Sequence, residues 1–271
     1  MDLFQAFILG IVQGATEYIP VSSSAHLVLV PWLLGWPDPS FEFEVLVQLG
    51  TLAGVFVFFW QDIVAIVRAV LAGLMQRRPF ATFEARLGWL VVVATIPAVV
   101  LGLLLKDYFE AAYSAPAVAG GLLIFTAVLL VIAERFGSRA RNLESMGWLD
   151  AVIIGFWQVA AMLPGISRSG ATISGAVLKG FNRTAAARFS FLMSIPALLG
   201  AGVIATLNLL QAGTLGSQLP AITVGFVAAA VSGYLCIRWL LGYLQRHSLY
   251  VFAAYCAAVS VLSVAVALLR G

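Results

Sequence analysis

The sequence predicts an all-α polytopic membrane protein with six transmembrane helices, two re-entrant helical hairpins and an inverted-topology repeat. Three observations indicate this fold class: an apolar composition, six long apolar runs, and two apolar regions that polar residues interrupt. The chain of 271 residues is 62% hydrophobic and only 10% charged, and its mean hydropathy is +1.03. A soluble domain carries about 25% charged residues. The apolar runs are continuous, whereas the strands of a β-barrel alternate apolar and polar residues.

The six apolar runs are each long enough to cross a bilayer as a helix. A transmembrane helix needs about 20 mostly apolar residues. The predicted spans lie near residues 43–60, 87–105, 117–133, 189–207, 220–240 and 249–269.

The two interrupted regions are apolar, but neither half of either region is long enough to cross the membrane. Residues 3–34 are broken by a polar turn that contains Glu17 and His26, and residues 151–178 by a turn that contains Arg168. We expect each region to form a re-entrant hairpin, in which a short helix, a polar turn at membrane depth and a second short helix follow one another. Such backbone is tolerated only where protein or a water-filled cavity surrounds it.

The distribution of basic residues predicts the orientation of the chain. Lysine and arginine concentrate in the segments 61–86, 134–148, 179–188 and 238–246. They are absent from residues 35–42 and 208–219, and residues 106–116 hold one lysine against two acids. The positive-inside rule therefore places the basic segments in the cytoplasm and both termini outside. The net charge of +3 is too small and too dispersed to suggest a nucleic-acid partner.

This orientation divides a single integral membrane domain, residues 1–271, into two inverted repeats. Residues 1–133 and residues 134–271 would each contain one hairpin and three spans. The motif Gly10-Ile-Val-Gln13 in the first hairpin parallels Gly155-Phe-Trp-Gln158 in the second. Corresponding broken segments in two halves point to a binding site near the bilayer midplane.

The second turn, Pro164-Gly-Ile-Ser-Arg-Ser-Gly-Ala-Thr172, has the composition of a phosphate site. A charged side chain at membrane depth is costly and is usually functional. The planar guanidinium of Arg168 can donate two parallel hydrogen bonds to a phosphate. Small residues let backbone N–H groups approach an anion, and a helix N-terminus favours negative charge. The expected phosphate ligands in this turn are Ser167, Arg168, Ser169, Gly170 and Thr172.

The first turn combines an acid, an amide, hydroxyl groups and an imidazole. Gln13 and Glu17 are four residues apart and therefore share one face of a helix. An unpaired buried carboxylate is heavily penalised, so we expect Glu17 to contact His26, Arg168 or a bound cation. The three consecutive serines 22–24 can cap the following helix or supply hydroxyl groups to the site.

These two turns resemble the signatures of a known family. The stretch Gln13-Gly-Ala-Thr-Glu17-Tyr-Ile-Pro-Val-Ser-Ser-Ser-Ala-His26 is similar to the first signature of the bacterial undecaprenyl-pyrophosphate phosphatases, the bacitracin-resistance family. The second turn is similar to the second signature, and Arg183-Thr-Ala-Ala-Ala-Arg-Phe-Ser-Phe191 downstream also matches. The resemblance covers essentially the whole chain. Gln13 stands where the family often has an acid, and the family permits this variant.

The resemblance implies an enzyme that hydrolyses undecaprenyl diphosphate to undecaprenyl phosphate and inorganic phosphate. This reaction recycles the carrier lipid for peptidoglycan synthesis, and high activity gives bacitracin resistance. The resemblance also implies a divalent cation, Mg²⁺ or Ca²⁺, and an active site that faces the periplasm from the bacterial inner membrane. The partners are then a polyprenyl diphosphate and membrane lipid, while the oligomeric state, a homodimer included, stays open.

Phosphoryl transfer requires positioning, charge neutralisation and a nucleophile. The expected catalytic residues are Glu17, Ser23, His26 and Arg168. We expect Ser22 to join the phosphate ligands, and Glu17 with Gln13 to hold the cation, or Glu17 to orient His26 instead. Ser23, activated by His26 as general base, is the expected nucleophile. Direct attack by His26 is the alternative.

A transporter is the second class of function that this sequence allows. Inverted repeats with broken helices at the midplane occur in transporters, and a polyprenyl phosphate flippase could use the same Arg168. A transporter does not require the combination of Ser23, His26 and Glu17, which favours an enzyme. A structural scaffold would leave two polar intramembrane turns unexplained.

Overall fold

The computed structural model describes residues 1–105, 116–213 and 215–270, and in these ranges it is built from eleven α-helices. They are α1 (Leu3–Glu17), α2 (Ser23–Leu34), α3 (Phe41–Phe58), α4 (Trp60–Met75), α5 (Phe83–Leu104), α6 (Pro116–Phe136), α7 (Trp148–Ala160), α8 (Arg168–Leu178), α9 (Arg183–Ala212), α10 (Leu215–Leu244) and α11 (Tyr250–Arg270). The predicted all-α class is confirmed. The charge count for segment 106–116 concerns residues that lie, apart from Pro116, outside the described ranges.

Six helices within the described ranges are long and apolar enough to span a membrane, and they coincide with the six predicted runs. They are α3, α5, α6, α9, α10 and α11. Large apolar side chains on the outer faces of these helices are exposed, for example Leu103, Val203 and Leu262. Such faces suit lipid hydrocarbon rather than water. The chain is therefore a multi-pass membrane protein.

The basic segment 61–86, expected as a cytoplasmic loop, is helical over residues 61–75 and again from Phe83, where α5 begins. The helix α4 has 16 residues and packs against α5. Only Gln61, Asp62 and Arg68 among its residues are polar, and apolar residues such as Leu71 and Met75 are exposed. With 16 residues and Arg68 near its middle, α4 falls short of the about 20 mostly apolar residues that a span requires.

Glycines bring the backbones of α1, α3 and α10 into direct contact. A Cβ atom on Gly10 would lie 2.4 Å from the carbonyl oxygen of Gly225, and one on Gly50 would lie 2.3 Å from that of Phe226. Apolar burial contributes little between helices in lipid, so close van der Waals packing at small residues holds such helices together. The tight contact fixes α1, which carries part of the site, against two spans.

Contacts between basic segments place them at one end of the bundle. Arg86 Nη2 donates to the main-chain oxygen of Glu144 at 2.6 Å. The N–H of Asn182 donates to the carbonyl oxygen of Arg141 at 2.8 Å. Segments that the charge distribution assigns to the same side of the membrane thus meet in the folded chain.

Each interrupted region forms a helix pair in which the start of the first helix lies close to the end of the second. In the pair α1–α2, the ring of Phe4 lies 6.3 Å from that of Trp36. In the pair α7–α8, Asp150 at the start lies 3.6 Å from the Lys179 ammonium that follows the pair. Asp150 also pairs with Arg141, so α7–α8 begins and ends among the basic segments.

We predict that Gly50→Ala lowers the stability of the protein, by about 1–3 kcal/mol, because the new methyl group overlaps a backbone atom of α10. The matched control is Gly200→Ala, since nothing lies within 4 Å of a Cβ atom at Gly200. Thermal unfolding in detergent measures both variants. Equal melting temperatures for the two would contradict the tight contact between α3 and α10.

Candidate functional site

Glu17 is the centre of a buried hydrogen-bond cluster to which both turns contribute. Its Oε2 accepts from Gln13 Nε2 at 2.7 Å and from Ser23 Oγ at 2.5 Å. Its Oε1 accepts from Arg168 Nη2 at 2.7 Å. The side chain of Glu17 is 5% exposed, and that of Arg168 is 18% exposed. Of the partners that the sequence left open for Glu17, the structure shows Arg168, and the two turns meet at this ion pair.

The first turn is held in a strained conformation at Ser22. This residue precedes α2 as its N-cap and has a φ of 69°, a left-handed conformation that non-glycine residues rarely adopt. Its hydroxyl oxygen accepts from the N–H of Ala25 at 3.5 Å. Its carbonyl oxygen lies 2.8 Å from Nδ1 of His26. The strain therefore accompanies a contact that orients the histidine ring.

His26 has a hydrogen-bond partner at each ring nitrogen. Nδ1 contacts the carbonyl oxygen of Ser22, and Nε2 lies 2.8 Å from the hydroxyl oxygen of Tyr255. The rings of His26 and Tyr255 are stacked, with an interplanar angle of 8°. His26 has no hydrogen bond to Ser23 here, because the Ser23 hydroxyl donates to Glu17 instead. The hydrogen bond between Ser23 and His26 that the expected activation requires is therefore not present in this structure.

Hydrogen bonds to the Thr126 side chain connect the second turn to α6. The N–H of Ser167 donates to Thr126 Oγ1 at 2.9 Å, and that hydroxyl donates to the carbonyl oxygen of Gly165 at 3.2 Å. Gly165 has a φ of 90°, and a Cβ atom there would lie 2.3 Å from the carbonyl oxygen of Ala119. The turn thus requires glycine at this position. Sequence reasoning missed Thr126, which lies in an apolar run and belongs to neither motif.

Two expected phosphate ligands make contacts that shape the second turn. Ser167 Oγ caps α8 by accepting from the N–H of Gly170 at 3.0 Å. Ser169 Oγ donates to the carbonyl oxygen of Ile19 in the first turn at 3.3 Å. The N–H of Gly170 is therefore already used within the protein, and Ser169 joins the two turns.

The Thr172 hydroxyl has hydrogen-bond partners within the protein, whereas one nitrogen of the Arg168 guanidinium has none. Thr172 is fully buried, and its hydroxyl lies 2.8 Å from the carbonyl oxygen of Arg168 and 2.7 Å from Ser190 Oγ. In contrast, Nη1 of Arg168 is buried without a hydrogen-bond partner. Arg168 therefore retains a donor for an anion, whereas Thr172 connects α8 with α9.

Gln13 and Glu17 are the residues that could hold a cation. Gln13 Oε1 is buried without a hydrogen-bond partner, and oxygen atoms are the preferred ligands of Mg²⁺ and Ca²⁺. No group of three or more His, Cys, Asp or Glu side chains suited to a metal occurs within the described ranges. Mg²⁺ is commonly held by one or two carboxylates together with substrate phosphates. The donor set here fits a cation that is bound jointly with a diphosphate.

Comparison with known proteins finds relatives along nearly the whole chain. A family model described as "Bacitracin resistance protein BacA" matches residues 6–262. A protein of Thermomicrobium roseum named undecaprenyl-diphosphatase is 43% identical and covers 94% of this chain and 94% of its own length. Proteins of the same name from Myxococcus xanthus and Chlorobium limicola are each 45% identical. They cover 97% and 94% of this chain, and 88% and 93% of their own lengths.

We predict that Arg168→Gln destabilises the protein by about 3–5 kcal/mol, because it leaves the buried Glu17 carboxylate without its cationic partner. The double variant Glu17→Gln/Arg168→Gln should recover much of this loss, since both charges are then removed. Melting temperatures of the two single variants and the double variant form the thermodynamic cycle. Additive losses in the double variant would show that the pair is not coupled.

Proposed function

The chain belongs to the BacA family of bacitracin resistance proteins, and on this premise we propose that it hydrolyses undecaprenyl diphosphate to undecaprenyl phosphate and inorganic phosphate. The relatives named undecaprenyl-diphosphatase support the substrate. The observation that carries the chemistry is the cluster around Glu17, which joins a hydroxyl, a carboxylate and a guanidinium. The product is the lipid carrier of peptidoglycan synthesis, and its recycling accounts for bacitracin resistance.

Arg168 is the proposed ligand of the terminal phosphate. Its Nη2 is held by Glu17, which fixes the plane of the guanidinium, while its Nη1 has no partner in the protein. A fixed donor that meets developing negative charge stabilises a transition state without reorganisation. The N-terminus of α8, which begins at Arg168, adds a partial positive charge at the same place.

Ser23 is the proposed nucleophile, and Glu17 replaces His26 as the base that activates it. The Ser23 proton passes to Glu17 Oε2, 2.5 Å away, as Oγ attacks the terminal phosphorus. The bond from that phosphorus to the bridging oxygen breaks, and undecaprenyl phosphate leaves with the electron pair. Water then attacks the phosphoserine phosphorus and gives a proton to His26, the bond from phosphorus to Ser23 Oγ breaks, and Oγ takes its proton back from Glu17. Inorganic phosphate leaves, and His26 passes its proton to the phosphate or to solvent.

A divalent cation completes the proposed site. Glu17 and the unpartnered Oε1 of Gln13 would hold it, and it would neutralise charge on the two phosphates. With only one carboxylate among these two ligands, the protein itself supplies little of the charge that a cation requires.

We also propose that the helix pairs are re-entrant and that the two halves are inverted repeats. Three structural correspondences at one offset of 145 residues support this. Ser22 and Ser167 cap the second helix of each pair. The Oγ atoms of Ser22 and Ser24 lie 3.2 Å apart, and those of Ser167 and Ser169 lie 3.1 Å apart. Gly10 and Gly155 each pack against the backbone of a span: a Cβ atom added at either position would lie 2.4 Å from a carbonyl oxygen, of Gly225 and Ala94 respectively.

The proposed location is the bacterial inner membrane, with the active site open to the periplasm. The basic segments meet at one end of the bundle, and the positive-inside rule assigns that end to the cytoplasm. The pair α1–α2 begins and ends at the other end, where Arg270 donates to the carbonyl oxygen of Trp32 at 2.9 Å. A flippase is not favoured, because movement of a lipid does not require the contact between Ser23 and Glu17.

We predict that Ser23→Ala reduces phosphate release from undecaprenyl diphosphate at least about 100-fold, since it removes the nucleophile. Ser24→Ala is the matched control, because Ser24 lies in the same turn and its hydroxyl contacts Ser22 rather than Glu17. Release by the purified wild-type protein tests the proposed activity itself. An acid-labile phospho-enzyme, or equal rates in the two variants, would exclude Ser23 and favour attack by His26.

We predict that EDTA abolishes phosphate release and that Mg²⁺ or Ca²⁺ restores it. Gln13→Glu should lower the cation concentration for half-maximal activity, because a second carboxylate strengthens the site. The control is Gln61→Glu, an exposed residue in the first turn of α4. Full activity in EDTA would contradict the role given to Gln13 and Glu17, and so would an unchanged cation requirement in Gln13→Glu.

A further inference from the structure

We propose that Tyr255 of the last helix is a positioning residue that fixes the tautomer and the ring plane of His26. The proposal rests on the phosphatase function above. The hydroxyl oxygen of Tyr255 lies 2.8 Å from His26 Nε2 across 229 residues of sequence. The two rings are nearly parallel, with centroids 5.7 Å apart. No motif contains Tyr255, and nothing in the apolar run around it distinguishes it by sequence.

The tautomer follows from the partner of the other nitrogen. The carbonyl oxygen of Ser22, 2.8 Å from Nδ1, can only accept a hydrogen bond, so Nδ1 carries a proton. In the neutral ring Nε2 then has a lone pair, and the Tyr255 hydroxyl is its donor. Ser22 and Tyr255 thus hold the ring from both sides in one protonation pattern.

The helix α11 is joined to the first turn at two successive residues, which supports a positioning role. Beside Tyr255, Sγ of Cys256 lies 3.7 Å from the carbonyl oxygen of Pro20. Farther along α11, Ser260 Oγ donates to the carbonyl oxygen of Gly121 at 3.3 Å and so connects α11 with α6. The ring of Tyr255 therefore projects from a helix that is itself fixed, and a fixed donor orients its acceptor.

The occupied Nε2 has a consequence for the mechanism. His26 can take a proton from substrate or water at Nε2 only after the Tyr255 hydroxyl has moved away from it. Without the hydroxyl, the ring keeps only the contact at Nδ1 and can rotate or exchange its tautomer. Tyr255 therefore acts through His26 and needs no contact of its own with the phosphates.

The kinetic test uses Tyr255→Phe, which keeps the ring and removes the hydroxyl. We expect kcat to fall about tenfold, the equivalent of one lost hydrogen bond, with KM unchanged. In a His26→Ala background the same change should have no further effect, because the group through which Tyr255 acts is gone. The control is Tyr243→Phe, since Tyr243 also stacks on a histidine, His247, with centroids 4.4 Å apart. A raised KM, or an equal loss in both backgrounds, would overturn the proposal.

A spectroscopic test does not depend on activity. The chain has two histidines, so ¹⁵N-histidine labelling of the full protein gives two ring systems, and His247→Gln assigns them. We expect one protonated nitrogen and one hydrogen-bonded, unprotonated nitrogen for His26, and a change of this pattern in Tyr255→Phe. An unchanged pattern would overturn the role of Tyr255 even if the enzyme is a phosphatase. If the pattern changes in Tyr255→Phe but the wild-type protein releases no phosphate, the contact between Tyr255 and His26 is supported and the proposed phosphatase function is rejected.

Discussion

The ion pair between Glu17 and Arg168 joins the two polar turns inside the bundle, and the surrounding helices must accommodate it. Neither charge is tolerable alone in this buried position, because an unpaired buried ion loses its hydration without compensation. The two turns must therefore meet, and the helices that carry them must lie deep among the spans. Glycines at the helix crossings allow this burial, because without side chains they let the backbone of α1 contact the backbone of α10. Burial of the Glu17–Arg168 pair thus depends on close backbone packing between α1 and α10.

The proposed repeat explains why a site with one carboxylate and one guanidinium is asymmetric. At the offset of 145 residues, both halves keep a capping serine and a second serine beside it. The same offset pairs Glu17 with Met162 and Ser23 with Arg168. In the proposed repeat one fold element occurs twice, and each copy would supply a different half of the chemistry. The first copy holds Glu17 and the proposed nucleophile Ser23, and the second copy holds Arg168, the proposed phosphate ligand.

The two turns are supported from outside by helices that pack against each other. Thr126 of α6 fastens the second turn, and Tyr255 of α11 contacts the histidine of the first. The helices α6 and α11 are also neighbours in the bundle. Their side chains hold backbone and ring atoms in orientations that the short turns could not maintain alone, which accounts for polar groups inside apolar spans.

The amino-acid sequence alone predicts the six spans, the two interrupted regions and the presence of Glu17, Ser23 and Arg168 in two polar turns. These features follow from local composition, because a bilayer requires long apolar runs and penalises isolated charge. Which side chains contact one another is visible only in the folded chain. In the fold, the Ser23 hydroxyl donates to Glu17 and not to His26, and His26 instead contacts the Tyr255 hydroxyl. Hydrogen-bond partners 229 residues apart depend on how helices pack, and apolar runs carry no local pattern that specifies such packing.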